Sequence, residues 1–182
     1  MKKYRVKIEG ITPLLMNRPS NLIGDLSKNN LGNDSREPRE QATDKLYELK
    51  GKLYQPATHF EGAMVEAGKH KKVVGKGKSN YSKIIGYSIT IEPEAIIHRK
   101  QKWEVFDILA VNPNTKGRYK LHRPRLEEWE LIFDIEFDEQ EVPVVIVKEL
   151  LDIAGRKVGI GDWRPAKKGR FGKFHITEWK EI

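Results

Sequence analysis

Between residues 155 and 172 the chain sets five glycines, Gly155, Gly159, Gly161, Gly169 and Gly172, among six cations, Arg156, Lys157, Arg164, Lys167, Lys168 and Arg170. Glycine reaches positive φ and lets a ligand come close to the main chain, so amide N–H groups and cationic side chains can converge on phosphate oxygens. Trp163 and Phe171 add ring faces, and a base stacked on such a face is worth about 1–3 kcal/mol. For Phe171, pinning the loop to the core is the better reading; for Trp163 stacking and pinning stand even. The stretch lacks the GxxxxGK[ST] spacing, so a P-loop for nucleotide triphosphates is not supported.

Two further segments carry the same charge. Lys116, Arg118, Lys120, Arg123 and Arg125 surround Tyr119, and in a strand Arg118 and Lys120 share a face, presenting two cations to one backbone track. The plainer alternative is an ordinary charged hairpin tip. Lys71, Lys72, Lys76 and Lys78 sit in a loop able to follow a nucleic-acid strand without reading its bases. Residues 69–78, 116–125 and 156–173 together carry +16, whereas the whole chain carries +8, so the remainder must be acidic at −8. Segregation of this kind concentrates positive potential on loops and is the footprint of a protein that grips polyphosphate. A charged loop that is merely solvated explains one such cluster less awkwardly than three.

Catalytic chemistry has little support. His59, His70, His98, His122 and His175 share no metal-ligand spacing, and no nucleophile–histidine–carboxylate set or carboxylate pair can be assigned to a cleft. Cysteine is absent, which excludes disulfides, thiol catalysis and sulfur-ligated zinc and fits a reducing compartment. No metal, cofactor or catalytic residue is therefore expected. The opening MKKYRVKIEG lacks the apolar core of a signal peptide, and no later run approaches spanning length, so the expectation is a cytoplasmic protein away from the membrane.

The elements that must hold these loops are legible from periodicity. At 182 residues the length suits a single domain over 1–182. Tyr4, Val6 and Ile8 alternate with charged residues in a first strand ending at Gly10. Residues 17–52 read as a long, partly mobile insertion with a short helix after Pro38 whose face holds Ala42, Leu46 and Leu49. Pro56 opens a helix with Phe60, Ala63, Met64 and Ala67 on one side. Tyr87, Ile89 and Ile91 predict a second strand, and 95–125 an excursion containing a hairpin from EVFDILAV and RYKLHR around the turn NPNTKG. Trp129, Leu131, Phe133, Ile135 and Phe137 give the third strand; Pro143 opens a helix through Val144, Val147, Leu151 and Ala154 with Gly155 as its cap. Phe174 and Ile176 mark the fourth strand. Strand, helix, strand, strand, helix, strand is a ferredoxin-like, split βαβ α+β fold, RRM-like in order, with insertions at 17–52 and 95–125.

Three segments on that scaffold, IEGITPLLM, LYQPATHFEGAMVEAG and GRKVGIGDWRPAKKGRFGKFHI, resemble the RAMP superfamily, repeat-associated proteins that include backbone subunits of CRISPR effector complexes. They match its opening strand running into Thr-Pro-Leu, its Pro-led first helix and its C-terminal glycine-rich loop. The resemblance implies binding of single-stranded RNA along its backbone in a homo-oligomeric or helical stack, with a protruding hairpin touching the next site. The chain is shorter than typical backbone subunits, and a phage or mobile-element relative is an equal setting. RNA stands ahead of DNA. Some relatives cleave RNA with a loop histidine, which makes His70 or His122 the general base of an alternative, a metal-independent endoribonuclease; a phage structural or assembly protein is the third reading. The open sheet face is a poor RNA platform, because Arg5 and Lys7 on strand one face Glu130 and Asp134 on strand three and opposite charges on neighbouring strands pair.

Overall fold

The computed structural model describes residues 1–19, 34–112 and 114–182. Residues 20–33 of the expected insertion, and Pro113 of the expected turn, lie outside the described residues. In chain order these form β1 (Lys2–Gly10), β2 (Leu14–Leu15), α1 (Pro38–Thr43), β3 (Glu48–Leu49) and β4 (Lys52–Pro56). Then come α2 (Ala57–Gly68), α3 (Ser82–Ser88), β5 (Ile89–Glu92), β6 (Ala95–Ile97) and β7 (Glu104–Val111). β8 (Arg118–Leu126), β9 (Glu130–Phe137), α4 (Val144–Ile153) and β10 (Phe174–Glu181) complete the order.

The central sheet is antiparallel in the order β10-β1-β9-β5. Tyr4, Val6 and Ile8 of β1 and Leu131, Phe133, Ile135 and Phe137 of β9 are all buried, as a period-two strand with one covered face requires. Phe60, Ala63, Met64 and Ala67 of α2 and Val147, Leu150 and Leu151 of α4 join them in one hydrophobic cluster. Phe60 sits at its centre, its ring 5.0 Å from Phe133 and 5.6 Å from Phe174. The protein is thus mixed α+β on antiparallel sheets. Two small sheets flank the central one, β2-β8-β7 and β3-β4-β6. The expected hairpin is β7–β8, paired from Glu104 opposite Arg125 to Val111 opposite Arg118. Among the described residues no helix is long and apolar enough to cross a membrane.

Three sequence expectations need correction. The helix opened by Pro143 does not end at Gly155: α4 passes into a π turn, Ala154–Val158, and Gly159 at φ +69° ends it. Gly155 is a packing position, where a Cβ would lie 2.2 Å from the Phe174 carbonyl oxygen. Arg156 and Lys157 therefore stand on this turn and not in the loop. Second, α1 stops at Thr43, and although Ala42 and Leu46 are buried, Leu49 is exposed in β3. Lys50 and Gly51 both have positive φ between the paired Leu49 and Lys52, the geometry of a two-residue hairpin turn, which replaces the helix. Third, Tyr87 belongs to α3 and is exposed; the strand starts at Ile89.

Candidate nucleic-acid interface

The glycine-rich loop is fastened to the turn that follows β1. Gly172 N–H donates to the Pro13 carbonyl at 2.8 Å and Asp162 N–H to that of Leu15 at 2.9 Å. Ile11 N–H reaches the Lys173 carbonyl at 2.8 Å, and Lys173 N–H reaches Thr12 Oγ1 at 3.0 Å. Within the loop, Ile160 N–H bonds the Gly172 carbonyl and Phe171 N–H bonds that of Trp163, at 3.0 and 3.1 Å. Glycine is required here, though not chiefly for a ligand. A Cβ at Gly169 would fall 1.7 Å from the Trp163 carbonyl oxygen, and one at Gly172 1.8 Å from that of Ile160. The loop's own backbone is what comes close.

The hairpin is locked to the same loop. Phe171 is buried with Leu15 and Ile108 and meets the Phe106 ring edge-on at 5.4 Å, so it pins the loop as expected. Arg123, expected to face nucleic acid, is buried at 8% exposure, with its Nε 3.0 Å from Asp162 Oδ2. Its charge couples β8 to the loop. Burial, followed by the neighbouring Arg123, holds the Lys45 ammonium below its ordinary value.

The remaining candidates divide by pairing. Lys71 is bound to Glu149 at 2.7 Å, Lys120 to Asp107 at 3.5 Å, Arg125 to Glu104 at 3.7 Å and to Glu127, and Arg156 to Asp152. Arg164 donates to the Gly161 carbonyl at 3.0 Å. By contrast Lys72, Lys76, Lys78, Lys116, Arg118, Lys157, Lys167, Lys168 and Arg170 are exposed and have no carboxylate within ion-pair distance among the described residues. Trp163 is 44% exposed at φ +47°, its ring free of the core. Across the sheet face the charges cancel locally: Arg5 donates to both Asp134 oxygens at 2.8 and 3.0 Å, Lys7 lies 3.4 Å from Glu130, and Lys3 lies 2.7 Å from Glu92. Among the cations singled out in the sequence, those left without a carboxylate gather at the loops, the hairpin tip and the π turn; Lys180 of β10, opposite Arg5, also lacks one.

Between α2 and the glycine-rich loop lies a cleft of about 450 Å³. Arg164, Lys167 and Asp162 line it from the loop, and Thr58, His59, Gly62 and Glu66 from α2, with Asn17 and Tyr47 also polar; Asp162 is paired with Arg123 and Glu66 with Lys69. Sequence reasoning passed over Asn17, Tyr47, Thr58 and His59. The available signal was local: Thr58 and His59 occupy the first turn after Pro56, within the LYQPATHFEGAMVEAG segment. His59 Nδ1 contacts Gln55 Nε2 at 2.5 Å and its Nε2 lies 3.4 Å from the Tyr47 hydroxyl. Burial first, and the Arg164 charge second, hold the imidazole below its ordinary value, favouring the neutral form. The two histidines singled out in the sequence stand elsewhere: His122 pairs with Asp107 at 2.8 Å on the hairpin, and His70 follows α2. Among the described residues no three metal-ligating side chains gather.

No family model and no curated protein matches the sequence. Solved structures do match. A chain of the type III-B Cmr-beta assembly bound to cognate target RNA is similar over 100% of this chain, at 14% identity and a TM-score of 0.54, and this chain spans 60% of that one's length. A chain of a type IV-B CRISPR complex matches at 11% identity, 96% and 90% coverage and a TM-score of 0.48. Cmr6 from Pyrococcus furiosus matches at 10% identity, 94% and 97% coverage and 0.45. The first of these carries the likeness of fold. The three segments that resembled RAMP proteins meet around one cleft and one loop, and the chain is structurally similar to CRISPR proteins of the Cmr and RAMP type.

Proposed function

We propose that this protein is a ferredoxin-like, RAMP-type binder of single-stranded nucleic acid, RNA ahead of DNA, that holds the phosphate backbone and does not cut it. One observation carries the reading. On the sheet face Arg5 and Lys7 are paired with Asp134 and Glu130, whereas nine exposed cations around the glycine-rich loop, the π turn, the hairpin tip and the 71–78 loop have no carboxylate within ion-pair distance among the described residues. Phosphate groups supply that partner. The similar Cmr-beta chain comes from an assembly bound to RNA, which is support by analogy of fold.

Fluorescence anisotropy with labelled RNA and DNA strands of equal sequence, titrated from low to moderate salt, tests the reading. The expected result is a log–log slope of roughly −0.7 per neutralised phosphate, with the RNA strand bound more tightly. Affinity that stays flat with salt, or no binding of either strand, overturns it. A second reading, metal-independent cleavage of RNA, is favoured by His59 alone, a neutral imidazole lining a cleft with Arg164 and Lys167. Incubation of labelled RNA with pure protein in EDTA separates the two: intact strands favour the binder, and products lost in His59→Ala favour the nuclease.

A further inference from the structure

Two long strands stand at the edges of sheets, β10 beside β1 and β7 beside β8, each of eight residues. In an antiparallel ladder alternate residues turn their amide and carbonyl away from the neighbour, so an edge strand offers those groups to any further strand. Folded proteins blunt such edges with charge, a bulge or proline, and β10 has two of these devices. Its pairing with β1 shifts register between Lys7 and Ile8, and Glu178, Lys180 and Glu181 stand exposed along it.

β7 is blunted far less. It pairs with β8 residue for residue from Glu104 to Val111, without bulge or proline. Residues 108–111 carry no charge, and Leu109 and Val111 are each 55% exposed on the face that also holds Asp107. Phe106 and Ile108 spend the opposite face on Leu15 and Phe171. Among the described residues the backbone of Glu104–Val111 bonds only to β8.

The charges along the hairpin indicate what this edge receives. The acids of β7, Glu104 and Asp107, lie in its first half, whereas Lys116 and Arg118, exposed and without a carboxylate within ion-pair distance among the described residues, lie at the tip. A second hairpin of the same kind laid antiparallel sets its acidic half beside the cationic tip of the first, and reciprocally. Laid parallel, it sets tip against tip, and like charges meet. With Leu109 on a two-fold axis, Val111 of one copy stands opposite Asp107 of the other. Arg118, which faces Val111 from β8, then reaches over it toward that carboxylate. No acid faces an acid in this register.

We infer that β7 is a pairing edge for a second copy of this chain, the two hairpins joining antiparallel about a two-fold axis at Leu109 into one continuous sheet. The pairing closes at two copies, unlike the open stack that the RAMP resemblance implies, and it stands independently of the nucleic-acid reading. An edge of eight residues buries less area than a permanent dimer needs, so the dimer dissociates on dilution.

The chain contains no cysteine, so a single introduced thiol reports pairing without background. Protein free of nucleic acid is followed by sedimentation equilibrium over a wide concentration range, and Leu109→Cys is oxidised in parallel with Val145→Cys, a control exposed on α4. The expected result is a monomer–dimer equilibrium, with the disulfide dimer of Leu109→Cys forming more than about tenfold faster than that of Val145→Cys, because pairing raises the local thiol concentration. Leu109→Glu combined with Val111→Glu sets acids against one another and against the second copy's Asp107, and should leave only monomer. Both positions are exposed, circular dichroism checks the fold, and the cysteine comparison decides alone if the Glu variant does not fold. A monomer at every concentration, a dimer unchanged by the Glu substitutions, or cross-linking no faster at 109 than at 145 each overturns the pairing.

Discussion

His98 is 2% exposed, and neither ring nitrogen has a hydrogen-bond partner. Burial alone pushes its imidazole down to about 4. The sign of the consequence follows from linkage. A base whose folded-state pKa is depressed contributes nothing pH-dependent above its unfolded value near 6.5, and the protein loses stability as pH falls from there toward 4 because the unfolded chain takes up the proton first. The loss across that window is on the order of 3 kcal/mol. Urea unfolding at pH 7, 5.5 and 4 should show it, and His98→Leu should flatten the slope while leaving stability at pH 7 equal or higher. His59, shifted the same way, adds a residual slope. Gly62 offers the opposite kind of check, since Gly62→Ala meets no neighbour and should raise stability by about 0.5–1 kcal/mol in thermal melting.

The π turn and the glycine-rich loop work as one element. The α4 helix overshoots into Ala154–Val158 because Gly155 lets that turn lie against the β10 backbone at Phe174. Gly155→Ala would improve helix propensity in isolation, yet its methyl has to displace a carbonyl. The expected outcome is a net destabilisation of about 1–3 kcal/mol in urea unfolding, the cost of an overpacked site; a stabilised variant would show that the turn floats free of β10. On the loop itself, Lys167, Lys168 and Arg170 are exposed and bonded to no acid, whereas Arg164 supports the Gly161 carbonyl. Reversing the first three to Glu should weaken RNA binding by more than about tenfold without altering the melting temperature. Retained affinity in a folded triple variant would remove this loop from the interface.

At the scale of the molecule the charges are sorted rather than merely abundant. The sheet face is a lattice of pairs, with Arg5 on Asp134, Lys7 on Glu9 and Glu130, and Lys3 on Glu92. These pairs lie at the surface with Lys7, Glu130 and Asp134 half-buried, so each adds little to stability, and they engage the β1 cations that a ligand on that side would meet. Arg5→Gln combined with Lys7→Gln should therefore lower the melting temperature slightly and leave affinity for a single strand unchanged. A large loss of affinity with unchanged melting would place the nucleic acid on the sheet. The loops hold the complementary excess: Arg123 with Asp162, and Phe106 with Phe171, bind hairpin to glycine loop, so the hairpin and loop present their free cations as one rigid rim.

Local periodicity was enough to place β1, β9, α2 and the β7–β8 hairpin, because alternation at Tyr4–Ile8 and Trp129–Phe137 and the 3.6-residue spacing of Phe60, Met64 and Ala67 are properties of neighbouring residues. The pairing of Arg5 with Asp134 was legible for the same reason once two adjacent strands were assumed. Helix ends were not. Gly155 and Gly159 are equally good caps by composition, and only contact with Phe174, nineteen positions along the chain, selects the second. The site divides similarly. That positive charge gathers at 69–78, 116–125 and 156–173 is a fact of sequence, but Arg123 and Arg125 are drawn to Asp162 and Glu104 while Arg118 and Lys116 stay free, and strand register and burial decide between them. The cleft was invisible, because Asn17, Tyr47, His59 and Arg164 come from four separated segments. Residue type and spacing determine which groups a segment offers; only the packing of distant segments determines which offers remain unspent and what space they share.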